Sequence, residues 1–428
     1  MKRRTPLVLA TALLACMGLQ AMAGTPPRYV VVELGSLGGA SSEGNSINLF
    51  GLVSGFSLLA DGRMHATFWS QHAAHDMGTL GGANSQVVWP VKNSLGVLSG
   101  IAQTATPDPL HEPWSCASFL PSTGTSCRGF VWAFGTMHEL PPLPGGNNSF
   151  ATGTNDLLQT AGWAETRMPD PTCDPKSHQV LQFLPVVWSD AGRHVRPLPL
   201  LHGDSSGAAT AINDRGQVVG ISGSCDQAAG RYTAAHMVLW ENGRAIDMGA
   251  IGGDAWNTPM AINEHGVVVG FANTAPGAAL REHAFLWRKG IAPRDLGTLH
   301  ANDVHSQALG LNNLAQAVGI SCTAGFASCS GFLYQDGVMT DLNDLTPDYP
   351  GVIVDAQDIN DQGVITGQAV TANGELVAFR AYPTWSPGQA STSVAAKPAV
   401  ELSTEARQQV LRHLGMASVD PVTGSFGR

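Results

Sequence analysis

Cations are scarce in this chain of 428 residues: 23 Lys and Arg stand against 33 Asp and Glu, and the net charge is −10. Beyond residue 4 the Lys and Arg form no cluster. A chain without a basic patch has nothing to hold a phosphate backbone, so nucleic acid is excluded as a partner class. Charged residues of both signs are only 13% of the sequence, about half the usual share of roughly a quarter. After the first two dozen residues no run of about 18 apolar residues could cross a bilayer as a helix. Helical periodicity is absent from 29 to 383, as are Cys-x-x-Cys pairs, the Gly-x-Ser-x-Gly elbow, the His-Glu-x-x-His helix and a phosphate-binding loop. These absences call for no metal and no cofactor, and they leave the catalytic residues unknown.

The first feature present is a leader. Met1-Lys2-Arg3-Arg4, an apolar stretch from Pro6 to Leu19 and Ala21-Met22-Ala23 have the layout of a signal peptide, residues 1–23, cleaved after Ala23. Losing Lys2, Arg3 and Arg4 moves the net charge from −10 to −13. Leu13-Leu14-Ala15-Cys16 offers a second route, lipid attachment at Cys16 and tethering to a membrane surface. Export to the periplasm or the cell exterior is the preferred reading, since Ala-x-Ala alone accounts for it. Setting Cys16 aside leaves six cysteines, Cys116, Cys127, Cys173, Cys225, Cys322 and Cys329. In an oxidising compartment an even count reads as disulfides.

Glycine is plentiful, 50 residues in all, and regularly placed. Ala211-Ile212-Asn213-Asp214-Arg215-Gly216-Gln217-Val218-Val219-Gly220 recurs at Ala261–Gly270 and at Asp358–Gly367. Degenerate copies centre on Asn48, Asn93, Asn155 and Asn312, each followed by an apolar run ending in Gly55, Gly100, Gly162 or Gly319. A second element, an apolar strand ending in an aromatic, follows each copy at 65–69, 128–132, 184–188, 236–240, 283–287 and 330–334; at 377–381 the aromatic is missing. Asx-Gly turns come next, as in Asn242-Gly243 and Asp336-Gly337. A segment such as Asp76-Met77-Gly78-Thr79-Leu80-Gly81-Gly82 then leads into the next copy. One repeat is thus four short strands, and the Asn centres lie about 45 to 62 residues apart, overlapping the period of propeller blades. The expected fold is all-β: a seven-bladed β-propeller of four-stranded antiparallel blades over 24–383. The seventh copy lacks its fourth strand, while Tyr29 to Leu34, followed by Gly38-Gly39, matches one. That N-terminal strand is expected to close the ring and hide its terminal edges.

His283-Ala284-Phe285-Leu286-Trp287 paired with Asp295-Leu296-Gly297-Thr298-Leu299 resembles the extracellular repeat family named for its His-Ala-Phe signature. The resemblance runs from about Tyr29 to Pro383 and weakens at Arg128-Gly129-Phe130, Leu184-Pro185-Val186 and Val377-Ala378-Phe379. It implies an exported repeat scaffold and transfers no reaction, ligand or catalytic residue.

The repeats differ most between their second and third strands, with insertions at about 101–127, 163–183, 222–235, 273–282 and 321–330. All six cysteines fall inside them, and the expected bridges are Cys116–Cys127, Cys173–Cys225 and Cys322–Cys329. Loops stapled on one face of a rigid scaffold make a recognition surface. Trp114 and Trp163 lie outside the repeated aromatic position and are candidates to stack on a sugar or peptide. Glu112, Glu165, Asp170, Asp226 and Glu282 are the candidate loop carboxylates; with them go Asp108 and Asp174. The repeated His65, His236 and His283 are read as structural, because a catalytic group is singular. The Asn-Asp-x-Gly element is turn chemistry, well short of a calcium loop.

Beyond Pro383 the chain reads as a linker over 384–402 and a short C-terminal helix and tail over 403–428, with Ala406, Val410, Leu411 and Leu414 on one side. The function expected is a secreted or surface-tethered monomeric binding scaffold with an extracellular carbohydrate or protein as partner. The alternatives are a propeller enzyme acting on polysaccharide, marked by two loop carboxylates about 5 to 10 Å apart in one pocket, and a purely structural surface component.

Overall fold

The Asn of each repeat has two jobs that only a carboxamide can do at once. In the copy around Asn213 the side-chain oxygen accepts from the backbone N–H of Gln217 at 3.0 Å, while Gly216 supplies a φ of +70° and donates its N–H to the Asn213 carbonyl. The side-chain nitrogen donates out of the turn, to the carbonyl of Asn263 at 3.0 Å. An Asp could form the turn but could not make the outward bond. The same outward bond recurs along the computed structural model, which describes residues 26–112, 114–175, 179–225, 234–277, 281–384 and 401–413, with only the backbone for Trp114, Ser115, Glu405 and His413. Asn48 reaches the carbonyl of Asn93, Asn93 that of Asn155, and Asn155 that of Asn213. Asn263 reaches Asn312, Asn312 reaches Asn360, and Asn360 returns to Asn48.

The glycine ending each Val-Val-Gly run is fixed by close approach. A Cβ at Gly55, Gly162, Gly220 or Gly319 would run into the carbonyl oxygen of Glu43, Phe150, Ala208 or Gln307 on the strand before it. These strands pair antiparallel, with a bulge just before the turn, as between Ala209 and Ala211.

The chain is mostly β and its architecture is propeller-like. Among the described residues there are five four-stranded antiparallel sheets and one eight-stranded sheet. Ser206–Ile212, Val218–Gly223, His236–Glu241 and Arg244–Asp247 form a typical unit. The eight-stranded sheet is two such units joined by a single parallel bridge, Ser41 to Leu376. One of them contains Val352–Ile359, Ile365–Val370 and Leu376–Thr384, and its fourth strand is Arg28–Glu33, antiparallel to Leu376–Thr384 from Arg28 opposite Thr384 to Glu33 opposite Phe379. The strand expected to supply the missing edge from the N-terminus is therefore paired there.

The repeated aromatics are blade packing, as expected. Trp69, Trp188 and Trp240 are buried, and each indole N–H donates to a carbonyl of the preceding connection, Gly35, Pro141 or Pro199. The repeated histidines pair with the Asp of the following strand, His65 with Asp76 at 2.9 Å and His283 with Asp295 at 3.1 Å. Arg128 and Glu139 replace that pair where the signature is degenerate.

Two helices interrupt the region where helical periodicity is absent, Trp114–Phe119 and Leu342–Leu345. Both are too short to show a period; the second starts because the Asp341 carboxylate caps the N–H of Asn343. The helix Thr404–His413 is capped by Ser403, whose hydroxyl accepts from the N–H of Ala406. It lays Val410 and Leu411 into an apolar cluster that draws residues from every unit, among them Phe56, Trp89, Phe150, Ile221, Trp256, Phe326 and Val354. Leu414, Cys16, the leader and most of the 384–402 linker lie outside the described residues, and no described helix is long and apolar enough to cross a membrane.

Candidate functional site

The antiparallel order puts the Asn turns at one end of the sheets and the variable connections at the other. At the variable end three disulfides close, Cys116–Cys127, Cys173–Cys225 and Cys322–Cys329, the pairs expected from the sequence. They fit an oxidising environment. Asp170, beside the Cys173–Cys225 bridge, accepts from the Thr172 N–H and hydroxyl and from the hydroxyls of Ser205 and Ser206. Burial works to raise its pKa, but the bonds from Ser206, Thr172 and Ser205 hold it below the usual carboxylate range. Asp170 therefore ties one loop to the next unit. With Cys173 and Cys225 it is close enough to hold an ion, but two of those three residues are joined as a disulfide and offer no thiolate.

Glu112 and Glu165 come together through Gln179, whose amide nitrogen lies 3.1 Å from Glu112 Oε1 and 3.4 Å from Glu165 Oε1. Glu112 Oε1 also accepts the N–H groups of Val180 and Leu181, both at 2.7 Å. Glu165 takes the N–H groups of Asn147 and Asn148 on Oε2 and the Asn148 side chain on Oε1. Asn148 bonds Asp108 as well. Burial, then the charge of Glu112, pushes Glu165 up to about 7. The two carboxyls are 5% and 0% exposed. They bind loop to strand.

Glu282 has a different surrounding. It is fully buried where its strand, Glu282–Arg288, leaves a connection. Its Oε2 lies 2.9 Å from Nδ1 of His305 and its Oε1 accepts from the Gln307 side chain at 3.0 Å. The His305 ring stacks on Phe326 with centroids 4.4 Å apart. Burial disfavours the charged ring, but the Glu282 charge outweighs it and His305 is raised above its usual 6.5. A carboxylate that orients one imidazole nitrogen leaves the other to donate, accept or move a proton. His305, Gln307 and Phe326 were not singled out by the sequence; the available signal was a histidine away from the repeated His position, two residues before a Gln in the strand entering Asn312.

Trp163 is fully buried, stacked on Phe150 at 4.1 Å and set against Trp89, so neither ring face is open to a ligand. Its position came from an innermost core site and not from a loop. The Trp114 side chain and all of Asp226 lie outside the described residues. Glu282 is thus a sequence candidate that bonds an ionisable side chain of opposite sign, His305.

A family model described as a protein of unknown function, DUF3466, matches residues 201–378. No curated protein matches the chain. Similar solved structures include a puromycin-hydrolyzing peptidase of Mycobacterium tuberculosis, at 11% identity and TM-score 0.45, covering 80% of this chain and 52% of the peptidase, so the chain spans about half its length. They also include an oligogalacturonate lyase in complex with manganese, at 11% identity and TM-score 0.43 over 84% and 97% of the two chains. A gluconolactonase of Xanthomonas campestris aligns at 9% identity and TM-score 0.36 over 85% and 98%. At such identities and scores none of them assigns an activity to this chain.

Proposed function

We propose that this protein is an exported seven-bladed β-propeller, closed by its N-terminal strand, that works as a binding scaffold through its disulfide-stapled face. The observation that carries the reading is the use made of the loop carboxylates. Asp170, Glu112 and Glu165 accept donors that fix the insertions in place, as a preshaped recognition surface requires. The cycle of Asn bonds returning to Asn48 supports the closed ring of seven. On this reading 1–23 is the signal, 24–383 the ring and 403–428 a cap reached through the 384–402 linker. The partner is an extracellular carbohydrate or protein, and the His-Ala-Phe resemblance belongs to the same picture. Glycan and peptide arrays probed with the mature domain test it: specific retention of one class, lost when the disulfides are reduced, is the expected result, and no retention of either class overturns it.

The second reading, an enzyme, rests on His305 held by Glu282. It predicts turnover of an extracellular substrate with a pH profile following one imidazole, abolished by His305→Gln.

A further inference from the structure

At the turn side, away from the disulfides, the fifth and sixth units leave a groove of about 500 Å³ between them, within the range of about 300 to 1,000 Å³ usual for small-ligand sites. One wall comes from the hairpin after Trp287. Arg294 sits directly opposite Leu286 in the strand pairing, and Arg288 lies two residues further along the same strand as Leu286. Residues two apart in a strand share a face, so both guanidinium groups rise from one surface at diagonal positions, roughly 7–8 Å apart at the backbone. The other wall carries Gln316, Tyr334 and Asp336.

Neither guanidinium group has a hydrogen-bonded or ion-paired partner among the described residues. The position is unusual within the repeat. The residue following the strand-end aromatic is Ser70, Ala133, Ser189, Glu241, Arg288 or Gln335 in successive units, so a cation stands there once. In the neighbouring unit Glu241 at that position is neutralised by Lys289 and accepts a hydrogen bond from Gln217. A chain with 23 cations against 33 anions therefore places two of them side by side in one concavity, facing the single carboxylate of Asp336 with which neither is ion-paired. Like charges so arranged repel each other until an anion lies between them.

We propose that this groove binds an acidic oligosaccharide, its carboxylates held by Arg288 and Arg294. The planar fork of arginine matches a carboxylate in two parallel bonds. Leu286 beside the exposed Leu314 gives apolar surface for the face of a sugar ring, and the Gln316 amide, bonded to Asn312 and Gln335, holds that wall in shape. Arginine pairs also recognise acidic peptides; the apolar surface beside these two favours a sugar ring, and the acidic tripeptide below separates the two ligand classes. The site is separate from the stapled face, and its failure or success leaves the reading of that face intact.

Titration calorimetry of the mature protein with a linear tri-uronate, its carboxyl-reduced neutral counterpart and an acidic tripeptide tests the proposal. The expected result is saturable binding of the tri-uronate, weakened by added salt, and at least tenfold weaker for the neutral trimer. Arg288→Gln with Arg294→Gln loses at least tenfold in affinity, and Arg288→Lys with Arg294→Lys loses part of it. Both arginines are exposed, so thermal melts of these variants superimpose on the parent. No binding of the tri-uronate, equal binding of the neutral trimer or the tripeptide, or an unchanged double Gln variant each overturns it.

Discussion

The two ends of the repeat units obey different rules. At the turn end one side chain does one thing seven times: an Asn closes its own turn and hands a donor to the next unit. At the loop end no two units are alike, and Asp170, Glu165 and Glu282 are each buried among a different set of donors. Regularity sits where units must register against one another, and variety where nothing in the register depends on it. Mutations at the turn end should therefore act on the whole fold, while those at the loop end should act on one loop.

The severest test removes residues 28–34. This takes away the six paired positions of Arg28–Glu33 and exposes the edge of Leu376–Thr384; the cooperative melt by circular dichroism should disappear. A melt shifted by only a few degrees would show that the fold does not need its N-terminal edge. Next come the staples. In the chain-entropy account, replacing Cys173 and Cys225, 52 residues apart, costs about 4 kcal/mol, and replacing Cys322 and Cys329, 7 apart, costs about 2.5 kcal/mol. Urea unfolding should return that order, and a reversed order would mean that the short bridge holds more than its own loop. Asn213→Ala strands the N–H of Gln217 and takes one of two donors from the carbonyl of Asn263, which keeps the N–H of Gly266, for a loss of about 2 kcal/mol. A loss below about 1 kcal/mol would break the claim that the turn end governs stability.

The smallest effect concerns His305. Because Glu282 raises its folded pKa above 6.5, the stabilising contribution of the charged ring is fully present below that value and fades as pH rises through the folded pKa. Glu282→Gln should lower the His305 pKa, read by NMR titration, and flatten stability against pH in that window. An unchanged titration would show that the carboxylate does not govern the ring.

The turn end was legible in the sequence because its chemistry is local. Asn-Asp-x-Gly names its own conformation, and the third strands at 65–69 or 283–287 fall inside the observed Met64–Ser70 and Glu282–Arg288. The unpaired fourth strand could be found at the other terminus because a missing edge is a deficit that pattern reveals. The loop end was less legible, since burial there is decided by contacts far apart in sequence. Glu112 and Val180 are 68 residues apart and meet only in three dimensions. Trp163 looked like a loop aromatic because Gly162 ends the repeat just before it, yet it continues the strand Thr160–Pro169 into the core. His305 carries little local signal, because Glu282, the carboxylate that orients its ring, is 23 residues away in the chain and meets it only in the fold.

The pairing of Arg28–Glu33 with Leu376–Thr384 brings the two ends of the repeat region together, and the Thr384 hydroxyl donates to the Arg28 carbonyl at 3.0 Å. Where the chain begins is then an accident of its gene and not a demand of the fold. A circular permutant that joins 384 to 28 by a short linker and opens at the exposed Asn242-Gly243 turn should keep every strand pair, trading one hairpin connection for another.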